Sequence, residues 1–432
     1  MRNNPPVPGQ SARGERYPAP PWMEAPASSA DRDRIFGLFA ADRLLVRKML
    51  QSLGNPPLTM VLWNGEEVSG GPGSLAAKIF IRDRGALLKL VANPELWFGE
   101  MYVEQRIEVS GDLVPLIESI YRAMRNTSKG QVQQSRFAGF LDARRHSVEA
   151  SRRNIHHHYD IGNDFYRLWL DEQMAYTCAY FPEQTASLEE AQVAKMDHIC
   201  RKLWLAPGDT VVEAGCGWGA MALHMARHYG ARVKAFNISR EQIAFARERA
   251  AAEGLQDRVE FIEDDYRNIT GEFDAFVSVG MLEHVGPANY QALGEIISWR
   301  LKRSGRGLIH SIGRDSQGGL NAWIERRIFP GAHPPSLSQM MQLFEPTGLS
   351  VLDVENLRLH YARTLEHWLR RFEASTTRIS AMFDPAFVRA WRLYLAGSLA
   401  AFRSGDMQLF QVVFSRSGCN DIPRTRQHQY HH

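Results

Sequence analysis

The sequence predicts an α/β fold: an open, mainly parallel sheet covered by helices on both faces, preceded by a smaller α+β unit. Beyond residue 205, short β-branched and aromatic runs alternate with helical segments at regular intervals. The first of those runs leads straight into a glycine-rich turn that opens a helix, the arrangement that places ligands at the carboxyl ends of parallel strands. A chain of 432 residues and 49.0 kDa also exceeds what one compact core usually absorbs, so more than one unit is expected.

Taken in order, residues 1–30 are rich in Pro, Ser and Ala without apolar periodicity and read as a disordered tail. Residues 31–125 turn globular, with strands predicted at Leu58–Trp63 and Ala76–Ile81 and helices at Pro94–Glu104 and Asp112–Met124. This unit holds no cluster of His, Cys or paired carboxylates, so lipid binding, dimerisation or packing suits it better than catalysis. Its Trp97, Phe98, Tyr102 and Tyr121 read as packed core before a lipid-facing patch. Residues 126–154 form a basic linker, and 155–416 the α/β unit. Strands there are predicted at Thr210–Gly215, Ala231–Ser239, Val259–Asp265, Phe273–Gly280, Arg306–Gly313, Leu349–Leu357 and Met407–Arg416. Helices at Ala220–Tyr229, Arg240–Ala252 and Tyr290–Leu301 lie between them. Residues 417–432 read as a loose polar tail.

Composition excludes several classes. Hydrophobic residues make up 44% and charged residues 23%, and the mean hydropathy is −0.33, values of a globular protein with no stretch near the ~20 apolar residues that cross a bilayer. The N-terminus lacks the apolar core of a secretory signal, which points to the cytoplasm. Cys178, Cys200, Cys216 and Cys419 form neither a disulfide framework nor a Cys-x-x-Cys pattern. His156, His157 and His158 are adjacent and point in different directions, so no metal site is expected. A net charge of +3 is too mild for a nucleic-acid partner. Between Arg122 and Arg153, however, eight Lys or Arg face only Asp142 and Glu149, a segment suited to an anionic membrane surface or to a solvated linker.

The chemistry begins at Val211-Val212-Glu213-Ala214-Gly215-Cys216-Gly217-Trp218-Gly219. Glycines there let the backbone turn tightly and approach a ligand, while the following helix offers free N–H groups. The spacing departs from Gly-x-Gly-x-x-Gly, so an adenosyl ligand without a pyrophosphate, S-adenosylmethionine, fits better than a dinucleotide. At the end of the second strand, Asn237-Ile238-Ser239-Arg240-Glu241-Gln242 offers the amides of Asn237 and Gln242 where a ribose carboxylate is common. After the third, Asp264-Asp265-Tyr266 offers an acid and a ring face for an adenine.

With six blocks in order, the chain resembles the cyclopropane-fatty-acid synthases, a family of S-adenosylmethionine-dependent methyltransferases. The blocks are His157-His158-Tyr159-Asp160-Ile161-Gly162-Asn163-Asp164-Phe165-Tyr166, Tyr176-Thr177-Cys178-Ala179-Tyr180-Phe181, the Gly215–Gly219 loop, Met281-Leu282-Glu283-His284-Val285-Gly286, His310-Ser311-Ile312-Gly313 and His360-Tyr361-Ala362-Arg363-Thr364. The resemblance covers about residues 30–416. It implies a Rossmann-like class I methyltransferase fold with a seven-stranded sheet. It also implies a reaction on the cis double bond of an acyl chain in a membrane phospholipid, giving a cyclopropane through a carbocation. The family's base is a bound bicarbonate, and its ligand positions correspond to Cys178, Glu283, His310, the backbone at Ile312 and Tyr361. The cofactor positions correspond to Tyr176 and Thr177, Val211 to Gly219, Asn237 to Gln242, and Asp265 with Tyr266. Thr177 stands where many relatives have serine, and Ser398 where several carry a cysteine. A homodimer, with the N-terminal unit as contributor, also follows from the resemblance, while the basic linker and exposed apolar side chains near the pocket mouth predict peripheral association with the inner face of the cell membrane. Rival readings are a methyltransferase giving methyl-branched chains or acting on a small molecule, and a non-enzymatic lipid-binding protein.

Overall fold

A computed structural model of the chain describes residues 30–73, 77–127 and 161–430. The first 29 residues, most of the basic linker and the His156–His158 tract lie outside the described residues.

The N-terminal unit runs α1 (Ala30–Ser52), β1 (Thr59–Val61), β2 (Glu67–Ser69), β3 (Ala77–Ile81), α2 (Arg84–Ala92), α3 (Pro94–Val103), β4 (Ile107–Gly111) and α4 (Leu113–Arg125). Its helices start where side chains satisfy free N–H groups: Asp83 accepts from Ala86 N–H, Asn93 from Leu96 N–H ahead of Pro94, and Asp112 from Val114 N–H. The sheet order is β2-β1-β3-β4, with β1 and β3 parallel. Val46, Leu58, Ile79, Leu87, Met101 and Leu116 fill its core. Tyr102 is buried, and Trp97, Phe98 and Tyr121 are half-buried against the two adjoining cores.

The second unit begins with α5 (Asn163–Arg167) and α6 (Leu188–Lys202). It continues through β5 (Thr210–Ala214), α7 (Ala220–Tyr229), β6 (Arg232–Asn237), α8 (Arg240–Ala252), β7 (Val259–Glu263), β8 (Phe273–Val279), α9 (Tyr290–Arg300) and β9 (Leu301–Gly313). After α10 (Ala322–Arg327) and α11 (Leu337–Met340) come β10 (Leu349–Asn356), α12 (Arg358–Ala374), α13 (Thr376–Met382), α14 (Pro385–Ser404), β11 (Gln408–Arg416) and α15 (Gln427–Tyr430). All seven predicted strands form one sheet of order β10-β11-β9-β8-β5-β6-β7, in which only β11 runs antiparallel to its neighbours. Strand β9 starts at Leu301 rather than Arg306, because Leu301 is buried and pairs with Phe273 across a register shift that the polar run Lys302–Arg306 conceals in the sequence. The chain order reverses between β5 and β8, so the loops after Ala214 and Val279 open at the switch point where such sheets bind ligands.

Helices α10 and α14 carry the contact between the units. Arg327 grips the buried Glu100 with two parallel bonds, Nε to Oε1 at 2.8 Å and Nη2 to Oε2 at 2.5 Å. Arg389 donates to Tyr102 O at 2.8 Å and lies 4.0 Å over its ring. Because Arg327 is half exposed, Arg327→Ala should destabilise the protein by about 1–2 kcal/mol, read in urea unfolding.

Part of the segment read as a loose tail is packed. Arg426 pairs with Asp353 at 2.5 Å and Gln429 O accepts from Arg201, so residues 426–430 cover the edge strand β10. An uncovered edge invites pairing with other chains.

Candidate active site

The loop after β5 takes the shape its glycines permit, with Gly215, Gly217 and Gly219 at φ 82°, 51° and 85°. A Cβ on Gly215 would lie 3.0 Å from Met281 Cβ, so the close approach of this loop to the one after β8 requires glycine. The N–H groups of Gly215 and Cys216 both donate to Phe236 O, tying the loop to β6. At the end of β6, Asn237 Nδ2 donates to Gly217 O (3.3 Å) and to Gln242 Oε1 (2.7 Å), while Asn237 Oδ1 accepts from Ser239 N–H. Ser239 Oγ caps α8 by accepting from Gln242 N–H, and Ile238 is half-buried. The two amides expected to face a ligand thus first hold each other.

Trp218 turns inward and donates from Nε1 to Asn163 Oδ1 at 2.7 Å, with the Tyr166 ring 5.0 Å away. The segment Ile161–Tyr166 therefore sits against the glycine loop. At the end of β7, Asp265 accepts from Arg267 N–H and Nη1, both at 2.9 Å, and the Arg267 guanidinium lies 4.8 Å over the Tyr266 ring. Burial pushes the Tyr266 hydroxyl up to about 12, so it is a donor at ordinary pH.

Within β5, Val211, Val212 and Ala214 are core residues, whereas Glu213 is a buried acid whose Oε2 has no partner. Burial pushes its pKa up to about 8 against the pull of Lys195.

The loop after β8 carries Glu283 back under β9. Its Oε1 accepts from Ile312 N–H at 2.5 Å, and its Oε2 is buried without a partner. Burial pushes this carboxyl up to about 7, opposed by its own N–H, the Ile312 N–H and the Ser311 hydroxyl. His310 lies two residues back on β9, its Nδ1 met by Gln411 Nε2 at 3.1 Å and its Nε2 buried without a partner. Burial, then Lys195 and Lys202, drives its pKa well below the usual histidine range, so the ring is neutral. Glu283 is thus tied to β9 at Ile312, two residues beyond His310, and each of the two side chains keeps one buried polar atom without a partner.

The Tyr176–Cys178 segment crosses the end of β8, where a Cβ on Gly280 would lie 3.0 Å from Thr177 Cγ2. Tyr176 OH and Tyr394 OH of α14 are 2.7 Å apart, and Thr177 Oγ1 accepts from Lys195 Nζ at 2.9 Å. Cys178 Sγ donates to Ala179 O at 3.1 Å and lies 3.9 Å from Leu357 O, the carbonyl that accepts the Tyr361 N–H at 3.1 Å, so Cys178 sits at the first turn of α12, which carries Tyr361. Burial raises the Cys178 thiol, which stays protonated. Around them stands an aromatic cluster of Phe165, Trp169, Tyr176, Trp218, Trp368 and Trp391. Ser398 is half-buried on α14.

Lys195 escapes a motif-based reading. It is fully buried on α6, where burial lowers its pKa against Asp171, Cys178 and Glu213, and it bears electrostatically on His310. The signal is present nonetheless: Leu188, Ala191, Gln192, Lys195, Met196, Ile199 and Lys202 repeat at helical spacing, so two lysines fall on the apolar stripe.

Comparison with known proteins agrees with this geometry. The family model for mycolic acid cyclopropane synthetase matches residues 146–412, and a model for a domain of unknown function matches residues 45–131. A probable fatty acid methyltransferase of Pseudomonas putida is 37% identical over 395 residues, covering 88% of this chain and 98% of that protein. The cyclopropane-fatty-acyl-phospholipid synthase of Escherichia coli K12 is 41% identical over 266 residues, covering 61% and 68%. Among solved structures, mycolic acid cyclopropane synthase CmaA1 complexed with SAH and CTAB aligns with a TM-score of 0.58 at 29% identity, over 61% of this chain and 98% of that one. The seven-stranded sheet, the glycine loop at its switch point and these matches make the chain a member of the mycolic acid cyclopropane synthetase family, an S-adenosylmethionine-dependent methyltransferase of the class I fold.

Proposed function

We propose that the protein transfers a one-carbon unit from S-adenosylmethionine to the cis double bond of an unsaturated acyl chain in a membrane phospholipid and closes a cyclopropane ring there. The observation that carries this reading is the pair of buried atoms without partners, Glu283 Oε2, whose carboxylate holds the Ile312 N–H, and His310 Nε2, two residues back on the same strand. Two buried polar atoms without partners mark a place for a small polar guest. An acceptor and a donor set together suit bicarbonate, which has both a proton to give and oxygens to bind.

Methyl transfer to an alkene leaves a carbocation on the acyl chain, and ring closure needs a proton removed from the new methyl group. Bound bicarbonate supplies that base. Glu283 accepts its proton, while His310 Nε2–H and Tyr361 donate to its oxygens. The Cys178 thiol, kept neutral by burial, completes the pocket without competing as an anion. The aromatic cluster excludes the water that would trap the cation. On the cofactor side, the loop Val211 to Gly219, the amides of Asn237 and Gln242, the Asp265 carboxylate and the Tyr266 ring hold S-adenosylmethionine, with Tyr176 and Thr177 facing its reacting end. Asp265→Asn weakens one arm of that grip, so calorimetry should show about 10-fold weaker S-adenosylmethionine binding.

The name of the Pseudomonas putida relative, whose full length this chain matches, favours a second reading in which the cation is quenched to a methyl-branched chain. Incubation with S-adenosylmethionine, bicarbonate and monounsaturated phospholipid vesicles, followed by lipid mass spectrometry, separates the two. A gain of one CH₂ with loss of the alkene supports the ring, and a methylated chain that keeps its double bond supports the branch. Among the described residues no helix is long and apolar enough to cross a membrane. The reading takes the basic segment as the contact with the inner face of the membrane, which the protein meets peripherally, and takes the protein as a homodimer, as the resemblance to its family implies. Binding to anionic vesicles should fall as salt rises.

A further inference from the structure

The three strands β10, β11 and β9 bring a row of polar side chains into register, because Glu355 pairs with Gln411 and Gln411 pairs with His310. Lys202 of α6 lies over that row, fully buried, with Nζ 2.5 Å from Glu355 Oε2 and 2.6 Å from Gln411 Oε1. Glu355 also meets His198 Nε2 at 2.8 Å. Burial of Glu355 is outweighed by His198 and Lys202, which together hold its carboxyl down to about 2. Burial pulls the Lys202 pKa down and Glu355 raises it; with Nζ set 2.5 Å from a carboxylate oxygen, Lys202 meets its neighbours as the donor of an ion pair, and an ammonium only donates.

That fact orients the whole row. The Gln411 atom facing Lys202 has to be the carbonyl oxygen, so the atom 3.1 Å from His310 Nδ1 is the amide nitrogen. An amide nitrogen donates, and His310 Nδ1 has to accept. In a neutral imidazole the proton then resides on Nε2, the atom left open at the site.

We propose that Lys202 and Gln411 are positioning residues that fix the tautomer of His310, so that the ring presents an Nε2–H donor to the reacting group and never a base. The assignment rests on the reading that His310 lines the reaction site. It gives Glu283 sole charge of the proton, because a histidine whose Nδ1 is occupied by a donor cannot take up a second one without breaking the row.

The test is ¹⁵N NMR of full-length protein labelled at histidine, with His310→Gln identifying the resonances. The wild type is expected to show Nδ1 unprotonated and Nε2 protonated. Gln411→Glu keeps an acceptor toward Lys202 but offers a second acceptor to Nδ1. It should move the proton to Nδ1 and lower kcat by about 100-fold, with the KM for S-adenosylmethionine little changed, as expected for loss of a donor aimed at the reacting group. Lys202→Met frees Gln411 to turn, giving mixed tautomers, and Lys202→Arg restores the wild-type pattern. A wild-type spectrum with the proton on Nδ1 overturns the proposal and needs no variant to fold. Gln411→Glu that shifts the proton yet keeps full turnover overturns it as well. The expected tautomer together with turnover indifferent to added bicarbonate would leave the tautomer assignment standing and remove the bicarbonate reading instead.

Discussion

Glu283→Gln should lower ring formation at least 100-fold while leaving S-adenosylmethionine binding within a few fold. The carboxylate is the sole acceptor among the described groups that both touches Ile312 N–H and keeps a second atom open to the site. Glutamine reproduces the first contact and offers an N–H donor where the second must accept, so removal of the proton loses its destination. Lipid mass spectrometry beside calorimetry of cofactor binding reads the split directly.

The pH dependence gives an independent check. Burial raises the Glu283 carboxyl to about 7, and only the ionised form accepts a proton, so kcat should rise with pH through about 7 and flatten above it. Stability runs the other way. A carboxyl whose folded pKa lies above its unfolded value contributes stability that is fully present below about 4.5 and is lost as pH rises through about 7. Glu283→Gln should therefore flatten the fall in stability between those limits, while the Glu213 carboxyl, raised to about 8, keeps its own share. Active and stable protonation states are opposed at this residue.

The sequence carried the framework of this fold because each strand of the large sheet is a short β-branched run closed by a turn signal, and all seven appear where those runs stand. The polar opening of β9 escaped, since Lys302-Arg303-Ser304-Gly305-Arg306 has no strand pattern and is placed by its neighbours, with Arg306 pairing both Ala275 of β8 and Ser415 of β11. At the site, residues with motif spacing were legible one by one. Their mutual arrangement was not, because Glu283 meets Ile312 across 29 positions, Tyr176 meets Tyr394 across 218 and Lys202 meets Gln411 across 209. The support of His310 was the least visible part. Gln411 lies within a strand that reads as ordinary sheet, and although Lys202 falls on the apolar stripe of α6, nothing in the sequence joins the two until the register of β9, β11 and β10 sets them side by side.

Gly215→Ala tests whether the cofactor loop and the proton-accepting loop act as one unit. At φ 82° the new methyl group costs about 1–2 kcal/mol of backbone strain. It also meets Met281 Cβ at 3.0 Å and Cγ at 3.2 Å, contacts that have to open, at a further ~1–3 kcal/mol. Met281 moves only with its own loop, and Glu283 follows two residues later, so the methyl should displace the acid from Ile312 as well as loosen the turn around the cofactor. The expected result is about 10-fold weaker S-adenosylmethionine binding together with a fall in turnover of about 100-fold at saturating cofactor. Gly208→Ala is the control, because its φ of 94° brings similar strain before β5 begins, with nothing within 4 Å of the added carbon. Equal loss of turnover at the two positions would assign the effect to general destabilisation. Loss confined to Gly215 would mean that one methyl group's width separates cofactor binding from a correctly placed base, and that the glycine after β5 is required by the chemistry of the neighbouring loop as much as by its own turn.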